Sequence, residues 1–360
     1  MYPLQSVVGA TVLAFAQACT ATIWVDSVPD YVRPYAIHHY DAGGCVVGKQ
    51  YYRFPVTGPS SDNAFTLIAT NAPESTDLGV LPHRHEVHYE NFFNYKGRFQ
   101  LWTNKDGVEE TRVLTPGDYG AVPINTTHTF QILDPDTEMV GVISPGGFET
   151  LFYALASENF TSKSAPYDPT AADGSPPPAN VTSSLQRFDV FAELAYAPRR
   201  DDVNGFAPVN STWRTGPNAL AEDETKPYFV AKDFGPKILN NKAAYQVVQP
   251  FVTPAQSDGA FTLSTITIAK ETKNSTSVAQ YFGGHAAFEV LEGELIIELE
   301  DETVCLLQGD VVFIPAYTSY KYYTHVGFTK TLYISQGSGG LDSALIAAGE
   351  SWSSPIFPLS

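Results

Sequence analysis

Apolar residues along this chain recur mainly with a period of two and in short runs. In the first half Phe99 and Leu101 alternate after Lys96-Gly97, and in the second Leu295, Ile297 and Leu299 alternate after Glu292-Gly293. That period sends every second side chain to one face and predicts half-buried strands. Each stretch runs into a turn, Leu114-Thr115-Pro116-Gly117-Asp118 or Leu306-Leu307-Gln308-Gly309-Asp310, and then into a short apolar strand ending at Val122-Pro123 or Ile314-Pro315. Gly117 and Gly309 each stand six positions before their proline. The chain is therefore read as two copies of one hairpin-rich unit. Helical periodicity is sparse, with Leu341 to Glu350 as the best candidate. The polar segment 159–215, with its Asp173-Gly174-Ser175-Pro176-Pro177-Pro178 run, reads as an extended linker. The apolar patch Phe188 to Tyr196 is expected to dock part of it on a domain, as a short helix. Residues 1–21 carry no charge and include the apolar stretch Val7 to Ala18. They are too short and interrupted for a membrane span and read as a secretory signal. A missing basic start leaves a mistranslated or disordered start as the alternative. The expected division is a signal at 1–21, a first domain at 22–158, the linker at 159–215 and a second domain at 216–360.

Composition sharpens the class. Tyr (20) and Phe (22) are abundant, charged residues make up only 17%, and Gly (27) and Pro (26) supply many turns, which together favour an all-β protein. A formal net charge of −18 argues against nucleic acid and against anionic membrane surfaces as partners. Sequons begin at Asn125, Asn159, Asn180, Asn210 and Asn274, which fits a glycosylated, secreted chain. Past residue 21 the cysteines are Cys45 and Cys305, read either as a bridge between the halves or as two lone buried thiols.

The chemistry concentrates in Pro82 to Gly97, which reads Pro-His-Arg-His-Glu-Val-His-Tyr-Glu-Asn-Phe-Phe-Asn-Tyr-Lys-Gly. His83 and His85 share a face of a strand, Glu90 brings a carboxylate a short step later, and His128 follows. Three imidazoles and a carboxylate suit a divalent first-row transition ion and differ from the thiolate set of structural zinc. Phe92 lies two residues after Glu90, and Phe130 and Ile132 lie two and four after His128, so each shares the face of its ligand and walls the site with apolar surface. Arg84 is turned outward by the same alternation. His38 and His39 read as ordinary strand residues and Asn71 as a turn former.

The spacing His83-x-His85, Glu90, Gly97, followed by Gly117, Pro123 and His128, resembles the two motifs of the cupins, with Asn125 and Ile132 departing from the usual residues. The resemblance implies two jelly-roll β-barrel domains. In the second copy the ligand positions fall on Ala279, Tyr281, Ala286 and Tyr320, so one metal per chain is expected, in the first domain. His285 and His325 read as structural, and His88 lies in the segment but outside the motif. Further runs resemble the secreted fungal quercetin 2,3-dioxygenases: Tyr52-Arg53-Phe54, Thr70-Asn71-Ala72-Pro73, Asp134-Pro135-Asp136-Thr137-Glu138-Met139 and Pro145-Gly146-Gly147-Phe148-Glu149.

That likeness implies a copper enzyme that opens the heterocyclic ring of a flavonol with O2, giving a depside and carbon monoxide. It places Tyr52, Ile68, Thr70 and Met139 in the substrate pocket beside Phe92, Phe130 and Ile132. Glu90 is the carboxylate positioned to take the proton of the flavonol 3-hydroxyl. The ligand set alone also admits manganese, iron, nickel or cobalt. Two alternatives stand beside this reading: an oxalate oxidase or decarboxylase, which needs a small cationic pocket, and a non-catalytic metal-binding bicupin. Formation of a homodimer is left open, since the two copies can cover each other's faces.

Overall fold

The computed structural model describes residues 22–168, 170, 184–199, 212–242, 244–270, 277–299, 301–354 and 357. The expected signal segment and the sequons at Asn180, Asn210 and Asn274 lie outside these residues. Among the described residues, strands dominate and no helix is long and apolar enough to cross a membrane.

Each half is a sandwich of a large and a small antiparallel sheet. In the first half the eight-stranded sheet runs, in spatial order, Glu158–Phe160, Gly44–Val47, Gln50–Val56, Thr66–Ala72, Thr137–Ser144, Tyr89–Lys96, Tyr119–Val122, Tyr228–Val230. Facing it is a five-stranded sheet in the order Phe191–Ala192, His83–Arg84, Thr127–Ile132, Phe99–Lys105, Val108–Leu114. The second half repeats the plan with another eight-stranded sheet and a three-stranded one, Glu302–Leu306, Leu295–Leu299, Tyr320–Tyr323.

The repeat seen in sequence is a repeat of local physics. Gly117 and Gly309 sit at φ +94° and +86°, where a side chain would be strained. Their amides bond the carbonyls of Asn94 and Val290, each at 2.8 Å. The following aspartates accept from the backbone three residues upstream, Thr115 N–H to Asp118 at 2.7 Å and Leu307 N–H to Asp310 at 2.9 Å. The Leu341 helix forms over Leu341–Ala347, shorter than its pattern suggested.

The halves exchange strands. Tyr35–Ile37, counted with the first domain by sequence, pairs with Val311–Ile314 of the second half, and Tyr228–Val230 pairs with Tyr119–Val122 of the first. A continuous apolar core containing Phe65, Phe93, Tyr119, Phe251 and Phe313 joins the two. The interior of the second barrel is filled by Phe288, Tyr320, Tyr322 and Tyr333, packed ring against ring at 4.7–6.3 Å. Its ligand-equivalent positions hold no metal-binding set: Ala286 and Tyr320 are buried in that core while Tyr281 is exposed.

The fold departs from several sequence expectations. His38 and His39 lie just past the Tyr35–Ile37 strand rather than in one. His39 turns to the buried Glu138, 3.0 Å away. Asn71 is a strand residue and not a turn former, because its amide group is taken up inside the sheet by Arg53 and Glu138. Cys45 is buried and Cys305 exposed, and both are free thiols. The patch 188–196 begins at the end of a 3-10 turn, Gln186–Phe188, and forms the short strand Phe191–Ala192, so pairing with the His83–Arg84 strand replaces the expected helix.

Candidate metal centre and its pocket

The short strand His83–Arg84 lies between Thr127–Ile132 and Phe191–Ala192, with His83 directly opposite His128. Glu90 comes from Tyr89–Lys96, where its backbone pairs with Val122 and Ile143. The two sheets thus bring side chains from both walls of the barrel to one point. One ligand atom from each of His83, His85, Glu90 and His128 lies within 4.8 Å of the others, and all four residues are buried. Ring centroids of His83 and His128 are 4.2 Å apart, and those of His83 and His85 are 4.9 Å apart.

Each imidazole is oriented through its far nitrogen. His83 Nδ1 donates to the Leu81 carbonyl at 2.8 Å, His85 Nδ1 to the Asp189 carbonyl at 2.6 Å and His128 Nδ1 to the Thr126 carbonyl at 3.1 Å. These bonds assign the tautomer and turn every Nε2 inward, as metal-binding histidines are usually held. Glu90 Oε2 lies 2.8 Å from His128 Nε2, and Oε1 lies 3.5 Å from His85 Nε2. That longer separation is too great for a good hydrogen bond, and the buried His85 Nε2 has no hydrogen-bond partner. An orphaned buried nitrogen is costly, and a cation at the meeting point would relieve it. The donor set, three imidazoles that are neutral when they ligate and a carboxylate without thiolate, fits a first-row transition ion.

Burial, together with the neighbouring charges of His128 and His85, holds the His83 pKa well below its ordinary value. Burial opposes ionisation of Glu90, but His85 in its protonated form and a protonated His128 Nε2 donating to Oε2 outweigh it and hold the carboxyl well below the usual range. Glu90 is therefore ionised near neutrality. His88 stands aside: its Nδ1 bonds the Asp189 carboxylate at 2.8 Å, and burial lowers its pKa.

A cavity of about 1000 Å³ opens onto the site and is lined by His83, Glu90 and His128 at one end. Tyr52, Ile68, Thr70, Phe92, Phe130, Ile132 and Met139 all line it. Phe92 packs 5.9 Å from His128 and 6.1 Å from Phe130, ring centre to ring centre. Gly79 lies against the Phe130 ring so closely that an added Cβ would come within 2.3 Å of it. Charge in the lining comes from Lys49, on a turn, against Asp77 and Glu90, so the cavity is not cationic. Arg84 faces away, bonded to Glu86 and Glu193. Of the described sequons, Asn125 and Asn159 are both exposed.

Sequence reasoning missed part of the wall. Phe148, Leu151 and Phe152, on and beside the helix Glu149–Leu155, close one side, and Leu185 and Val190 reach in from the segment assigned to the linker. Asp189, which anchors His85, also comes from there. The apolar patch beginning at Phe188 was the available signal.

Two stacked-sheet barrels in tandem, with the cluster of inward histidines and a glutamate found, among the described residues, in the first, define a bicupin with a metal site in its amino-terminal half. No protein-family model matches the chain. It is 51% identical over 346 residues to the quercetin 2,3-dioxygenase of Aspergillus japonicus, covering 94% of this chain and 99% of that protein. It is 30% identical over 139 residues to the quercetin 2,3-dioxygenase of Bacillus subtilis (strain 168), covering 38% of this chain and 40% of that protein. In fold it is similar to the oxalate decarboxylase of Bacillus subtilis, with a TM-score of 0.51, 12% identity and coverage of 87% of this chain and 78% of that one. It is equally similar to that of Lactobacillus farciminis, with a TM-score of 0.52, 14% identity and coverage of 87% and 88%. The chain belongs to the quercetin 2,3-dioxygenase family.

Proposed function

We propose that the protein is a metal-dependent dioxygenase that opens the heterocyclic ring of flavonols such as quercetin with O2, yielding a depside and carbon monoxide. The observation that carries this reading is the meeting of three anchored imidazoles and Glu90 at the end of a large, mainly apolar cavity. His83, His85, His128 and Glu90 would hold the ion. Copper is the ion favoured by the family likeness, and when bound it would supply Lewis acidity toward the flavonol oxygen and electron exchange with the substrate and O2.

The chain's own groups do the rest. Glu90, ionised, is the proton acceptor for the 3-hydroxyl, since a flavonol is a far better oxygen donor once deprotonated. Phe92, Phe130, Ile132, Ile68 and Met139 offer apolar faces to flat rings, and Tyr52 and Thr70 add polar edges that fix orientation. The same walls exclude water from the ring-opening steps. An oxalate-type activity is disfavoured because a small dianion wants converging cations, and the lining holds more carboxylates than basic groups.

A secreted, glycosylated protein released after a signal at residues 1–21 completes the reading. It is supported by the uncharged apolar start and by the exposed Asn125 and Asn159. The decisive experiment incubates metal-loaded protein with quercetin in air. Loss of the flavonol absorbance with release of carbon monoxide supports the assignment, whereas turnover of oxalate with quercetin untouched refutes it.

A further inference from the structure

We propose that Asp189 is a positioning residue for the metal centre, through which the segment between the barrels holds His85 and the turn leading to Glu90. This rests on the reading of His83, His85, Glu90 and His128 as metal ligands.

The three imidazoles are not anchored alike. His83 and His128 bond carbonyls two residues earlier in their own chain segments, Leu81 and Thr126. His85 bonds a carbonyl 104 residues away, that of Asp189. Its orientation therefore depends on a segment that neither motif contains.

Asp189 is shaped for the task. Its backbone is left-handed, φ 62° and ψ 29°, a conformation aspartate tolerates better than most residues. Its amide bonds the Gln186 carbonyl at 2.9 Å, which fixes that turn and aims the Asp189 carbonyl at His85. The carboxylate gathers three consecutive amides: Oδ1 accepts from Glu86 at 2.9 Å, and Oδ2 from Val87 at 2.8 Å and His88 at 2.9 Å. Oδ2 also accepts from His88 Nδ1 at 2.8 Å. Successive amides converging on an anion form a nest, and here the nest is the turn joining His85 to Glu90.

The neighbouring residues complete the clamp. Phe191 and Ala192 pair with Arg84 and His83, and the Glu193 amide bonds the Pro82 carbonyl at 2.8 Å. The Glu193 carboxylate holds Arg84 Nε at 2.9 Å. Leu185 and Val190, on either side of the turn, are buried against the substrate cavity. One short segment thus walls the pocket with its apolar residues and orients a metal ligand with Asp189.

The test compares wild type with Asp189→Ala, Asp189→Asn and Arg187→Ala, the last an exposed residue on the same turn. Each apo protein is titrated with Cu(II) against a competing chelator well below its melting temperature, and the EPR spectrum of the loaded form is recorded. Asp189→Ala is expected to bind Cu(II) about 10–100-fold more weakly, with a broadened or shifted spectrum. Asp189→Asn keeps a residue suited to the left-handed turn and one acceptor oxygen, so its loss is smaller, and Arg187→Ala matches wild type. Wild-type affinity and spectrum in Asp189→Ala overturn the proposal. If that variant does not fold, the same result in Asp189→Asn does so. A wild-type protein that binds no Cu(II) instead sinks the underlying reading of the site.

Discussion

Replacing Glu90 with glutamine exchanges one oxygen for an amino group and leaves volume and backbone pairing unchanged. The residue is buried in mid-sheet, paired with Val122 and Ile143, so the fold should survive. His83, His85 and His128 keep their carbonyl anchors, because none of those bonds involves Glu90. The metal should therefore remain largely bound, while the proton acceptor is gone. Loss of a positioned general base costs about 10²–10⁴ in rate, or roughly 2.7–5.4 kcal/mol at about 1.36 kcal/mol per decade. The assay is paired: metal content of the purified variant, and kcat for quercetin loss in air. Near-stoichiometric metal with kcat down at least about a hundredfold is the expected result. Unchanged kcat at full occupancy would remove Glu90 from proton transfer. Loss of both metal and turnover would show that the carboxylate is needed chiefly as a ligand.

Other consequences are equally direct. His128→Ala removes a fully buried ligand opposite His83 and should yield protein that retains little metal by elemental analysis, with activity not restored by added Cu(II). Phe130→Ala should raise KM for quercetin by more than it lowers kcat and should cost about 3–5 kcal/mol of stability in denaturant melts, since Phe130 is both pocket wall and buried ring. Glu289, buried between the halves near His39 and Glu138, has its carboxyl pushed up to about 8 by burial. The folded state then holds a proton that the unfolded state has released, so this group makes stability fall as pH rises from about 4.5 to about 8. Glu289→Gln should remove a penalty on the order of 4 kcal/mol at the alkaline end of that window. Melts across this range should show a flatter profile than wild type, and an identical slope would refute the assignment.

The sequence by itself determined the two-copy β architecture, because strand alternation and the Gly-Asp turns are local and recur at matching spacings. It also set which residues meet at the site: a His-x-His pair shares a face by strand geometry alone, and the same period carries Phe92, Phe130 and Ile132 to the face of their ligands. The rest was decided by contacts between residues far apart in the chain. Nothing local tells that Asp189 orients His85, that Leu185 and Val190 close the cavity, or that Asn71 serves a buried Arg53–Glu138 pair. The exchange of Tyr35–Ile37 and Tyr228–Val230 between the halves is of the same kind. A short apolar strand satisfies its own pattern on either sheet, and only the packed core selects which edge it joins.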